Sequence, residues 1–131
     1  MIALDTHALI WWVSGGRQLG RRARKALEAE GEDGRIIVSA ISAWEIAMLV
    51  RTGRLALTMD VTTWLDITAQ LPAVSIVPID APIAVQSVEL PGDFHKDPAD
   101  RLIVATARHY GAPLATADAK IQAYPHVQTI W

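Results

Sequence analysis

Short, wholly apolar runs alternate along the chain with longer segments whose apolar residues recur every three to four positions. Ile2, Ala3 and Leu4 form the first run, "RIIVS" at 35–39 the second and "VSIVPI" at 74–79 the third, followed by "PLATA" at 113–117 and "VQTIW" at 127–131. Runs too short for helices and lacking polar alternation are expected of strands buried on both faces. Between them, "THALIWWVSG" predicts a helix that starts near Thr6 and ends at Gly15-Gly16. "LGRRARKALEAE" gathers Leu19, Ala23, Ala26 and Leu27 on one side and its cations elsewhere, while "AISAWEIAMLVRTGRL" repeats Ile41, Trp44, Met48 and Leu49 at helical spacing and closes at Gly53. Further helices are expected over 60–71, over 81–89 and from Pro98 to Gly111; Pro98 suits a first helical turn, and Pro78 a strand end or sheet edge.

Alternating strands and helices of this kind predict an α/β fold with a central parallel sheet covered on both faces. In such sheets every strand points toward one edge and the following helix begins there, so that edge is where ligands bind. Asp5 ends the first strand, and Asp118 lies just past the fourth, in "LATAD". Glu45 falls in the first turns of the helix after strand two, and Asp100 in the first turn of the helix that opens at Pro98. Four acids scattered from position 5 to position 118 are thereby assigned to one edge.

Each acid also has a local explanation. Ser42-x-x-Glu45 reads as a capping box in which Glu45 bonds the backbone amide of Ser42. Asp97-Pro-Ala-Asp100 reads as an N-cap followed by an acid favoured by the helix dipole. Asp118 suits a turn, and Asp5 suits a cap for the helix near Thr6. The grouping is stronger than its members, because like charges brought together push protons back onto one another unless a cation intervenes. The chain has no cysteine, so the cation must be held by oxygen or imidazole, and carboxylates suit Mg2+ or Mn2+. The implied chemistry is metal-assisted attack of water on a phosphodiester.

Composition sets the frame for this reading. With 131 residues, 51% apolar and 20% charged, the chain is expected to be one domain, 1–131, with a substantial core. No apolar run reaches the length of a membrane span, and Asp5 with His7 interrupts any signal-peptide pattern, so a cytoplasmic location without membrane contact is expected. The net charge of −2 gives no global attraction to nucleic acid, yet Arg17, Arg21, Arg22, Arg24 and Lys25 crowd one stretch. A solvated helix face is the simpler account of that run, and phosphate or partner contact the other.

"LDTHAL", "SAISAWEIAMLVRTGRL", "HKDPADRLIVATA" and "LATAD", in this order and spanning nearly the whole chain, resemble the PIN-domain ribonucleases, and within them the VapC-type toxins of type II toxin–antitoxin systems. The resemblance implies an α/β/α sandwich whose acidic pocket binds Mg2+ or Mn2+ and hydrolyses RNA. By position, Asp5 and Asp100 resemble the principal metal ligands and Asp118 a further one, direct or through water. Glu45 resembles the fourth acid, which holds a metal water or orients the nucleophile. Thr116 resembles the hydroxyl residue supporting the pocket, and Thr6 is an outer donor. Arg101 either orients an acid or is structural. A VapB-type antitoxin, an RNA substrate and a homodimer are the implied partners.

His7 and His95 lie near the same edge, but an acidic scheme requires neither, and both are expected to be packing or surface residues. Trp11, Trp12, Trp44 and Trp64 are capable of stacking on bases, although their helical spacing favours core or interface. Trp11 and Trp12 are adjacent, so both are not expected to face one core. A haloacid-dehalogenase-type phosphatase wants a second acid where this chain has His7, and a receiver domain wants paired acids after strand one. A PIN-like module that binds RNA or protein without cutting is the alternative within the fold, and the intact acid set argues against it.

Overall fold

The computed structural model describes residues 1–131. Its elements run β1 (Ile2–Leu4), α1 (Thr6–Ser14), α2 (Arg21–Glu30), β2 (Ile36–Ser39), α3 (Ala40–Arg51), α4 (Val61–Ala69), β3 (Val74–Val77), α5 (Ala81–Val88), α6 (Pro98–Tyr110), β4 (Leu114–Ala115), α7 (Ala119–Gln122) and β5 (Thr129–Ile130). All five strands are parallel, in the order β3-β2-β1-β4-β5. The predicted element sequence holds except for the short helix α7, which was not expected, and the strands are shorter: β3 stops at Val77, before Pro78, and β4 and β5 keep two residues each. As expected, Pro78 therefore falls where no ladder amide is needed, beside an edge strand.

Period-two alternation along the strands sorts side chains into two cores. Ile2, Leu4, Ile36 and Val38 pack with Leu9, Ala23 and Leu27 of α1 and α2, Ile46 of α3 and Trp64 of α4. Ala3 and Ile37, one residue out of phase, pack with Ile83 of α5, Ile103 and Val104 of α6, and Ile121 of α7. Both faces of β1 and β2 are therefore covered, which explains why these strands are continuously apolar. The result is an α/β/α sandwich.

Helix α3 departs from the expected face. Ser42 and Ile46 are its buried residues, while Trp44 is 58% exposed and Met48 40% exposed. The apolar stripe through Trp44 and Met48 thus points away from the core. Trp11 and Trp12 also correct an expectation, because both pack partly buried against the same core cluster.

The strand order locates the site. Successive crossovers run outward from β1 to β2 and β3 on one side, and to β4 and β5 on the other. The switch between β1 and β4 lies at the carboxyl ends of those strands, where sheets of this kind open a crevice for ligands.

Candidate functional site

Asp5 is the first residue past β1 and the N-cap of α1. Its Oδ1 accepts the Thr6 amide at 2.8 Å, and its Oδ2 accepts the Thr116 hydroxyl at 2.7 Å. Only 9% of Asp5 is exposed, and burial pushes its carboxyl above the ordinary range despite these hydrogen bonds. Thr116, just past β4, is fully buried and also accepts the Asp118 amide at 3.0 Å. One hydroxyl therefore fixes two acids.

Asp118 caps the short helix α7, with Oδ1 accepting from the Lys120 and Ile121 amides at 2.8 and 3.3 Å. Glu45 comes from α3, and its Oε1 accepts the Thr6 hydroxyl at 2.6 Å. The Ser42 hydroxyl lies 2.8 Å from that of Thr6. Thr6 has a single hydroxyl hydrogen, so when it donates to Glu45, Ser42 donates to Thr6, and a chain runs Ser42 to Thr6 to Glu45. The capping box is thus not formed. Helix α3 starts three residues earlier than that motif implied, at Ala40, with Ser39 as the N-cap accepting from the Ile41 amide at 3.2 Å. Burial is the main cause that raises the Glu45 carboxyl, and Asp5 and Asp97 raise it further.

Asp100 sits in the first turn of α6. Its carboxyl is pushed up to about 7, first by burial and then by repulsion from Asp97, Asp5, Asp118 and Glu45. Asp97 caps α6 through the Ala99 amide at 3.0 Å, as expected, and also lines the cleft. The cleft, of about 440 Å3, brings together Asp5, Thr6, His7, Trp11, Glu45, Asp97, Asp100, Ala117 and Asp118. All four acids read from the sequence line it, together with Asp97. In this arrangement no three His, Asp or Glu side chains converge closely enough to enclose an ion.

His95 is closer to the acids than expected. Its Nε2 lies 3.0 Å from Asp100 Oδ2, and this buried nitrogen has no hydrogen-bond partner. Nothing local in "HKDPAD" signals that approach, because the loop before α6 is shaped from a distance. Arg101 is structural: its guanidinium donates to the carbonyls of Ser87 at 2.7 Å, Phe94 at 3.0 Å, and His95 and Val88 at 3.2 Å each. It lashes the segment between α5 and α6 around itself.

At the switch point of the parallel sheet, Thr116 donates to Asp5 and Thr6 to Glu45, with Ser42 behind Thr6; these bonds lower two carboxyls that burial still holds above the ordinary range. Fold and cleft together define an α/β/α domain with a carboxylate-lined pocket at the ends of β1 and β4. The chain belongs to the PIN domain family, whose model matches residues 2–127. It is 36% identical, over 99% of its length and 98% of the relative's, to the protein named Ribonuclease VapC22 of Mycobacterium tuberculosis. Among solved structures it resembles a toxin–antitoxin complex from Klebsiella pneumoniae, with a TM-score of 0.67 and 24% identity over 98% of this chain and 97% of that one. It also resembles VapBC2 from Rickettsia felis bound to a promoter DNA fragment, with a TM-score of 0.69 and 20% identity over 99% and 98% of the two chains. These two likenesses bear on the fold.

Proposed function

We propose that this protein is the toxin of a type II toxin–antitoxin system, an Mg2+- or Mn2+-dependent endoribonuclease that hydrolyses RNA phosphodiester bonds, with residues 1–131 acting as one PIN domain. The observation that carries the reading is the convergence of Asp5, Glu45, Asp97, Asp100 and Asp118 on one cleft. The relative's name, Ribonuclease VapC22, supports RNA as substrate.

The donor set fits a hard cation. It offers carboxylates without a sulfur ligand, and the carboxyl of Asp100 is raised first by burial and then by repulsion from neighbouring acids that a cation would relieve. Asp5 and Asp100 would hold the ion, with Asp118 as a further ligand, direct or through water, and Glu45 as the fourth acid. When bound, Mg2+ or Mn2+ supplies charge neutralisation for the phosphate and activates water for in-line attack. The chain's own groups do the rest. Thr116 keeps Asp5 and Asp118 in register, while Thr6 fixes one oxygen of Glu45. Glu45, held on one side by the Thr6 hydroxyl, would orient the attacking water.

A VapB-type antitoxin as cognate partner, a homodimeric toxin and a cytoplasmic location complete the proposal. Exposed Trp44 and Met48 supply apolar surface for assembly, and no helix is long and apolar enough to cross a membrane.

The test is RNA cleavage by purified, partner-free protein. Cutting in Mg2+ or Mn2+ that stops in chelator and in an Asp5→Asn variant is expected. Unchanged cutting by Asp5→Asn overturns the mechanism, and absence of a growth defect on expressing soluble, active protein overturns the toxin role.

A further inference from the structure

The acids account for only part of the cleft wall. His7 and Trp11, one turn apart on α1, line it as well. Their ring centroids are 5.6 Å apart at an interplanar angle of 48°. Trp11 is partly buried, packing on the core while also lining the cleft. On its other neighbour it meets Trp131, whose ring lies 5.7 Å away in an edge-on arrangement at 60°.

Trp131 in turn is seated on the start of α2. Its carbonyl accepts the Arg22 amide at 3.0 Å, and Gly20 leaves room for it: a Cβ there would come within 2.5 Å of the Trp131 backbone and 2.8 Å of its ring. Helix α2 carries the basic run. Arg24 is used internally, donating to the Gly16 carbonyl at 2.9 Å, whereas Arg21, Arg22 and Lys25 are exposed. Three rings, His7, Trp11 and Trp131, therefore lead from the carboxylates to a cationic helix.

We propose that Trp11 is the base platform of the cleft: a nucleobase flanking the scissile phosphate stacks on its ring, and the strand continues past Trp131 toward Arg21 and Arg22. This rests on the ribonuclease reading above and adds the residue that positions the base beside the scissile phosphate. An aromatic face beside a phosphate site binds bases with little regard to sequence, and a base inside a duplex has both faces covered already. The cationic helix matches the backbone of a strand leaving the acidic cleft, where phosphate contact favours binding without reading sequence.

The experiment compares wild-type protein with Trp11→Phe, Trp11→Leu and Trp12→Leu in Mn2+. The substrates are a random-sequence single-stranded oligoribonucleotide pool and a duplex of the same length. Trp12 packs on the same core cluster without lining the cleft, so Trp12→Leu reports on packing alone. Trp11→Leu is expected to raise KM for the single strand about tenfold, with a smaller change in kcat. Trp11→Phe should stay near wild type, Trp12→Leu should leave KM unchanged in its folded fraction, and duplex should be cut poorly by all four proteins. Wild-type cleavage with an unchanged KM in Trp11→Leu, or equal cutting of duplex, overturns the stacking proposal alone. A wild-type protein that cuts neither form removes the ribonuclease reading, and this proposal with it.

Discussion

Asp5 and Thr116 are separated by 111 residues in sequence, and a 2.7 Å hydrogen bond joins them at the ends of neighbouring strands. The same Thr116 oxygen accepts the Asp118 amide, so the register between β1 and β4 sets the spacing of two acids. The chemistry of the cleft is in this sense a property of strand pairing.

Thr116→Val tests that link. Valine keeps the shape but withdraws a donor from buried Asp5 and an acceptor from the Asp118 amide, a loss expected to cost about 1–3 kcal/mol of stability. Cleavage should fall by more than the unfolded fraction explains, and Thr116→Ser should restore most of both. Melting curves and RNA cleavage in Mn2+ check the pair.

Arg101→Lys is expected to loosen the segment between α5 and α6. A lysine ammonium cannot reproduce the planar fork that meets the carbonyls of Ser87, Val88, Phe94 and His95. Stability should fall by about 1–3 kcal/mol, and hydrogen exchange should rise across residues 88–95. If Arg101 served the acids directly, exchange in that segment would be unchanged while cleavage fell.

The sheet was legible because β1 and β2 are buried on both faces and so carry unbroken apolar runs, and Asp5 could be placed at a strand end for the same reason. Strand order was not legible, since each strand of two to four residues pairs through backbone that carries no sequence signal. The segment of α3 was legible from Ala40 onward, but its cap was misassigned to Ser42, because Ser39 and Ser42 are equally able to cap and only the length of β2 decides between them. Trp44 and Met48 share helical spacing with core residues, and periodicity alone does not say which of two apolar stripes faces inward. The approach of His95 to Asp100 depends on Arg101 gathering carbonyls from a distant helix end, a non-local cause.

The carboxyl of Asp100 makes stability depend on pH in a stated direction. Its native value of about 7 lies above the ordinary 3.8, so between these limits the folded chain holds a proton that the unfolded chain has released. Stability from this group is therefore greatest at the acid end and falls as pH rises toward 7; the raised carboxyls of Asp5 and Glu45 act in the same direction. In chelator, Tm should decline between about pH 4 and pH 7, with a flatter decline in Asp100→Asn. Added Mn2+ should stabilise wild type increasingly over the same interval, because the ion competes with the proton. A Tm that rises with pH in chelator contradicts the assignment.

Glu45 separates pocket chemistry from helix stability, because its hydrogen-bond partner is Thr6 of α1 rather than the start of its own helix. Glu45→Gln keeps an oxygen able to accept from Thr6 while removing the charge that Asp5 and Asp97 repel. Stability in chelator should hold or rise, whereas cleavage should fall about tenfold or more, a barrier increase of at least about 1.4 kcal/mol. The matching control lies at the true cap. Ser39→Ala should cost about 0.5–2 kcal/mol of stability and leave cleavage intact in the folded fraction. Ser42→Ala falls between them, since Ser42 is buried and donates to Thr6 when Thr6 donates to Glu45. Losing that donor should loosen Thr6 and lower cleavage, with no effect on the α3 N-terminus as read by amide exchange. Cleavage by Glu45→Gln close to wild type would confine this carboxylate to holding α1 against α3 through Thr6.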